Sequence, residues 1–394
     1  MSANQKSSLL CRPGTLSLLL LSLFAGVLAS EAIAQTPPPA KPAPDVIVFT
    51  NGDQLTGALE RSVGNNITFK SDSVGEVTVS MDKVKELRSN GNFVVLKKDE
   101  KITRVSRHPG AITFEDHTVN VAGTSTSAPE AVQDKDLAYI IDQETFNKEV
   151  TVNPGPFSGW NGSVTGGATI IRSTQDGTSF NAGIALIRAI PAVPFLPPRT
   201  RTTFNLLETY GKLTEPTIPQ TVPPTPTAVA KTSIFHTDAE HDKYFTPRVY
   251  ALAGTSFDHN FSQGLNLQQI YGAGLGWTVI QEPKQELDVK ADVHYERQNF
   301  QPPTVSLNLI GSTFAEIYHR DLPGKLIFTE SGSFIAAWND FNAYSALAAA
   351  GLQLPVYHRF ALNVNVSDNF LNNPAFGYKK NSFQFITGVT YTLK

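Results

Sequence analysis

Residues 286–298 read ELDVKADVHYERQ. Leu287, Val289, Ala291, Val293 and Tyr295 alternate with Asp288, Lys290, Asp292, His294 and Glu296. An extended chain here is therefore apolar on one face and ionisable on the other. A soluble half-buried strand alternates too, with its apolar face in a core and its polar face in bulk water. Repetition and length separate the two cases. From Trp160 almost to the end of the 394-residue chain the period-two pattern recurs in about twelve segments, many of them long enough to cross a bilayer when tilted. They lie near residues 159–172, 178–190, 199–213, 231–244, 248–259, 265–280, 286–298, 305–319, 325–340, 342–354, 359–370 and 382–393.

The apolar faces carry Tyr271, Trp277, Phe334, Trp338, Phe383, Phe385 and Tyr391, the residue types that form interfacial girdles on membrane barrels. In YGAGLGWTV, Gly272, Gly274 and Gly276 share the opposite face. A glycine row there lets the wall curve or lets other groups approach closely. Its GxGxG string lacks the βαβ context of a dinucleotide loop. With a periplasmic amino terminus, the even-numbered connections are periplasmic and short, and the odd ones, including residues 214–230, are longer and extracellular. AIPAVPFLPPR, residues 189–199, breaks this rule by being an even connection that is long and apolar, which points to the membrane interface.

The amino terminus has Lys6 and Arg12, an apolar core over 16–30, and Ala32-Ile33-Ala34. That order is a secretory signal peptide over 1–34, cleaved after Ala34. The single cysteine, Cys11, precedes the apolar core, so the exported chain has no disulfide and no thiol chemistry. Residues 35–44 form a proline-rich linker. No later stretch approaches 18 uninterrupted apolar residues, so any crossing of a membrane is made by strands. The net charge of −3 gives no sign of a nucleic-acid partner.

Residues 45–142 form a tandem small β module, SH3-like or Sm-like. VIVFTNGDQLTG (46–57) is echoed by FVVLKKDEKITR (93–104), Ile67-Thr68-Phe69 by Ile112-Thr113-Phe114, and DKVKEL (82–87) by DLAYIID (136–142). Residues 143–156 read as a linker and 157–394 as the barrel. The fold class is thus all-β: an antiparallel transmembrane β-barrel of about 12 strands behind a periplasmic module.

Two stretches resemble a known family. DVIVFTNGDQLTGALERSVGNNITFKSDSVGEVTVSMDKVKEL, with its NGD turn, L-T-G, ITFK and KVKEL, resembles the amino-terminal module of the YdiY-like group of salt-induced outer-membrane proteins, whose function is uncharacterised. FSGWNGSVTGGATIIRSTQDGTSFNAGIAL resembles the start of that family's barrel. The resemblance implies an outer-membrane barrel and supplies no catalytic residue. One departure is the carboxyl terminus: NSFQFITGVTYTLK ends on Lys394, where such strands commonly finish on an aromatic read by the assembly machinery.

Chemistry-bearing motifs are few. In IFHTDAEHD, His236, Asp238, Glu240 and Asp242 share one face of a strand and His241 the other, so the five cannot converge on a metal. No Walker loop, HExxH or EF-hand loop occurs. No catalytic residue, metal ligand or cofactor is assigned, and the chain reads as a non-enzyme. Candidate lumen-lining residues are Asp238, Glu240, Asp242, Asp288, Lys290, Asp292, His294 and Glu296. Lining water, this acidic set favours cations; tied to basic partners from other strands, it plugs the barrel. The expected role is a passive pore for small solutes or ions. A structural anchor whose module binds an envelope partner is the alternative, and a membrane-embedded lipid hydrolase a weaker one. Expected partners are outer-membrane lipid, the barrel-assembly machinery and a periplasmic protein or peptidoglycan; the sequence does not fix the oligomeric state.

Overall fold

Period-two patterning makes sheet in both halves of the chain, and the two sheets close differently. A computed structural model describes residues 43–98, 109–123, 129–151, 154–172, 176–193, 195–215 and 228–393. The expected signal peptide, most of the expected proline-rich linker, most of the loop at 214–230, the 99–104 part of the repeat and Lys394 lie outside the described residues.

The amino-terminal module has nine strands: β1 Asp45–Phe49, β2 Gln54–Val63, β3 Asn66–Ser71, β4 Gly75–Ser80, β5 Val84–Lys97, β6 Gly110–Glu115, β7 Thr118–Val121, β8 Glu130–Gln133 and β9 Leu137–Asp142. They form one sheet in the order β4-β3-β2-β1-β5-β6-β7-β8, with β9 pairing both β2 and β5. The sequence echo is visible in the fold, since one-turn 3-10 helices at Met81–Lys83 and Asp134–Asp136 feed β5 and β9 at equivalent places. The two repeats do not make separate barrels. β5 is 14 residues long and bulges between Ser89 and Phe93; its start pairs β1 and its end pairs β9. A single core results, with Ile47, Ile67, Phe69 and Leu87 of the first repeat packed with Ile112, Phe114, Val119 and Ile140 of the second.

The expected linker at 143–156 is more than a spacer. Asp142 caps a helical turn over Gln143–Thr145, its carboxylate accepting the Thr145 N–H at 2.8 Å, and Phe146 and Val150 in the following turns are buried.

The remaining strands are β10 Asn161–Arg172, β11 Asp176–Ile190, β12 Thr200–Glu215, β13 Ala228–Tyr244, β14 Val249–Asn260, β15 Leu265–Glu282, β16 Gln285–Phe300, β17 Leu307–Asp321, β18 Ile327–Ala337, β19 Tyr344–Tyr357, β20 Phe360–Leu371 and β21 Asn381–Leu393. Each is paired antiparallel with the next, and β21 returns to β10, so the sheet is a closed barrel of twelve strands. Closure removes the unpaired edges that an open sheet would present. The wall is turned inside out relative to a soluble barrel. Tyr271, Leu275, Trp277, Val293, Tyr295, Phe314, Phe334, Leu362, Phe383, Phe385 and Tyr391 are all exposed on its outside, a surface that gains nothing from water and suits hydrocarbon. Charged side chains interrupt the outward set at several positions, among them Glu208, Asp368, Glu316 and Glu330. Glu316 and Glu330, on the neighbouring strands β17 and β18, point out among Phe314, Tyr318 and Phe328.

The long apolar connection at 189–199, expected at the membrane interface, packs on the module. Leu196 is 4% exposed, packed with Val94, Leu96, Ile141, Phe146 and Val150. The Arg61 guanidinium lies 5.3 Å from the Phe195 ring centroid. Just before this connection, the Arg188 side chain donates to the backbone carbonyls of Pro154 and Ser158, each at 2.8 Å. Apolar residues in this connection are therefore covered by protein, which explains its length and composition.

Candidate functional site in the barrel interior

Because the pleat alternates, the side chains opposite the outer wall converge on the interior. On β16 these are Asp288, Lys290, Asp292, His294 and Glu296, and on β13 His236, Asp238, Glu240 and Asp242. Between β13 and β16 lie β14 and β15, whose inward positions include Gly254, Gly272, Gly274 and Gly276. These glycines form a low floor. A Cβ on Gly276 would sit 2.2 Å from the Tyr250 ring, and one on Gly272 would meet the His294 Cβ at 3.0 Å. Side chains of β12, β13 and β16 thus reach one another above β14 and β15.

The contacts form a ladder. Nearest the strand ends beside the 189–199 connection, Arg201 of β12 donates from Nε to Asp242 at 2.7 Å and from Nη2 to Asp288 at 2.8 Å. Its guanidinium lies 5.0 and 5.7 Å from the ring centroids of Tyr250 and Tyr244, a favourable stacking for a delocalised cation. Asp288 also accepts from the Thr278 hydroxyl at 2.6 Å and the Tyr250 hydroxyl at 3.3 Å. Asp288 and Asp242 are 4% and 1% exposed, so these bonds replace water that the carboxylates have lost. One rung higher, Lys290 is bonded to Glu240. Above it, His236 sits 3.0 Å from Asp238 and 2.6 Å from Asp258, while His294 Nδ1 sits 2.8 Å from Asp292. At the top, Glu296 accepts from Gln268 at 2.5 Å and Gln298 at 2.6 Å.

All eight residues expected in the lumen point inward, and every one engages a partner. They do not line open water as a free acidic surface. His241, placed on the other face by the sequence, faces out and contacts the Thr202 hydroxyl at 2.8 Å. Arg201, Tyr250, Asp258, Gln268 and Gln298 complete the ladder and were not singled out as partners. Each sits on an inward register position, so alternation alone would have found its direction, but alternation carries no register, and register decides the partner. Among the described residues, no group of three or more histidine, cysteine or carboxylate side chains has the arrangement of a metal site.

The ladder occupies one side only. Along β18 to β21 and β10 to β11, the inward positions among the described residues carry hydroxyls, amides and small apolar groups and no charge. Of the interior cavities among the described residues, two bear on these two sides. One of about 290 Å³ lies against the ladder, lined by His236, Asp238, Glu240, Asp258 and Asp292. The other, about 490 Å³, lies against the uncharged strands, lined by Thr165, Asn181, Thr329, Ser331, Asn365 and Ser367 among others. His236 and Asp238 line both.

Fold and interior define a closed twelve-stranded antiparallel barrel, apolar outside and polar within. The family model described as protein of unknown function, DUF481, matches residues 167–393, and the chain belongs to that family. Among solved structures the chain is similar to the NanC porin, at TM-score 0.36 and 7% identity over 59% of this chain and 100% of that one. An outer membrane channel from Pseudomonas putida F1 gives TM-score 0.35 and 11% identity over 61% and 100%. The translocator domain of the autotransporter NalP from Neisseria meningitidis gives 0.30 and 12% over 60% and 89%. No curated protein matches.

Proposed function

We propose that the protein is a passive pore of the bacterial outer membrane, with its nine-stranded module on the periplasmic side. The observation that carries this reading is the inverted barrel: an exposed apolar outside and an interior that turns polar side chains inward and keeps cavities of about 290 and 490 Å³. An anchor needs only the outside. A hydrated interior has no stabilising role for an anchor, whereas a channel requires one. Exposed outward aromatics and the signal-peptide pattern support the location. The family resemblance extends the proposal to a role under osmotic stress.

Planar-bilayer recording of the refolded full chain tests it. Discrete current steps are expected, and they should persist when residues 45–142 are removed. A silent barrel would reject the pore and leave the anchor reading, in which the module binds a periplasmic partner.

A further inference from the structure

The charged and uncharged halves of the interior differ in what they can offer a passing molecule. Every rung of the ladder is already engaged, and its most buried members, Asp242, Asp288 and Glu296, are at most 4% exposed. A solute ion entering there would have to displace Arg201 or Lys290 from bonds made across the glycine floor. The opposite side is larger, and charge from the ladder reaches it only where the His236–Asp238 pair borders it. Its lining offers neutral donors and acceptors from Thr165, Thr329, Ser331, Asn365 and Ser367.

Two details point to a ligand that donates hydrogen bonds. Asn181 and Asn363 line this cavity, and the side-chain oxygen of each has no hydrogen-bond partner in the protein; Asn363 is 7% exposed. A buried amide oxygen left unsatisfied costs free energy that a hydroxyl donor would recover. At Gly351, a Cβ would lie 2.4 Å from the Asn365 side-chain oxygen and 2.8 Å from the Thr329 hydroxyl. Glycine at that position keeps room for both polar groups at the wall.

Resting on the pore reading, we propose that the uncharged face of β18 to β21, β10 and β11 is the solute path, and that it takes uncharged polyhydroxy solutes of the monosaccharide class. Hydroxyl and amide groups match such solutes donor for acceptor without requiring a counter-ion. Carboxylates outnumber cations on the facing ladder, with Asp238, Asp258 and Asp292 bordering the adjoining cavity, so the residual field disfavours an anionic sugar acid of equal size.

The test is liposome swelling with the full-length protein in a Cys11→Ser background, which removes the only cysteine of the chain. Ser331→Cys changes one inward hydroxyl to a thiol of nearly the same volume, and a bulky thiol reagent is then added to the folded barrel. A neutral hexose should enter faster than the corresponding aldonate, and labelling Cys-substituted position 331 should slow the hexose by at least about fivefold, as narrowing a pore at its lining does. The chain without the substitution should be indifferent to the reagent. Asp292→Asn should narrow the gap between hexose and aldonate entry, since it removes one carboxylate of the facing wall. Hexose entry that labelling does not slow, or ionic current without hexose entry, overturns the proposed path while the pore stands. Neither solute entry nor current overturns the pore itself.

Discussion

Arg201 shows how much one residue can hold in place. Its guanidinium bridges two carboxylates from non-neighbouring strands, both almost fully buried. Removing one partner of such a cluster is more damaging than never having built it, because the remaining charges stay desolvated. Arg201→Met should therefore cost about 3 to 5 kcal/mol, read as a lower urea midpoint of the refolded barrel. Adding Asp288→Asn should recover part of the loss; no recovery would mean that packing, and not stranded charge, caused it. In the module, His117 sits in the β6–β7 turn, 2.6 Å from Asp134. The hydrogen bond to Asp134, and then that carboxylate's charge, hold the imidazole above its ordinary pKa. A raised folded-state value means the pair favours the fold while the histidine is charged and ceases to do so as pH rises through that value. An NMR titration should show the His117 midpoint above the usual histidine range and returned toward it in Asp134→Asn. The direction in which each of the eight lumen candidates points was legible from alternation. Their partners were not, since the register that brings Arg201 to Asp288 depends on how four separate strand pairs add up.

At the scale of elements, the connection at 189–199 works as a strap. Its length and apolar character marked it as unusual in the sequence, yet two surfaces could have buried it, lipid or protein. Leu196 chose protein by fitting among Phe146, Val150 and Leu96. Leu196→Ala should weaken that packing by about 2 to 4 kcal/mol, a large-to-small loss in a closed cluster. Limited proteolysis would detect it as faster cleavage within residues 143–156, with the heat-modifiable gel shift of the barrel unchanged. If cleavage does not change, the strap contributes nothing to docking. The repeat in the module was likewise legible as an echo of strands and turns. That the two copies share β5 and a single core was not, because pairing between repeats leaves no trace in the pattern of either.

For the whole molecule, the outer wall has a blemish that permits a direct test of its surroundings. Glu316 and Glu330 face outward among aromatic residues. If lipid covers them, each is a burden, smaller than that of a basic residue, and Glu316→Leu with Glu330→Leu should raise the stability in bilayers by up to about 2 kcal/mol, read as a higher urea midpoint. A lower midpoint would show instead that the carboxylates are held by a contact from outside the barrel. The sequence by itself determined the strand count, the inward and outward sets and the division into module and barrel, because the two-residue period is local and each strand reports it independently. Only the tertiary structure decided that ELDVKADVHYERQ faces paired partners across a glycine floor and that a cavity against uncharged strands lies opposite. Those outcomes depend on closure and register, which are properties of twelve strands together and of no one segment.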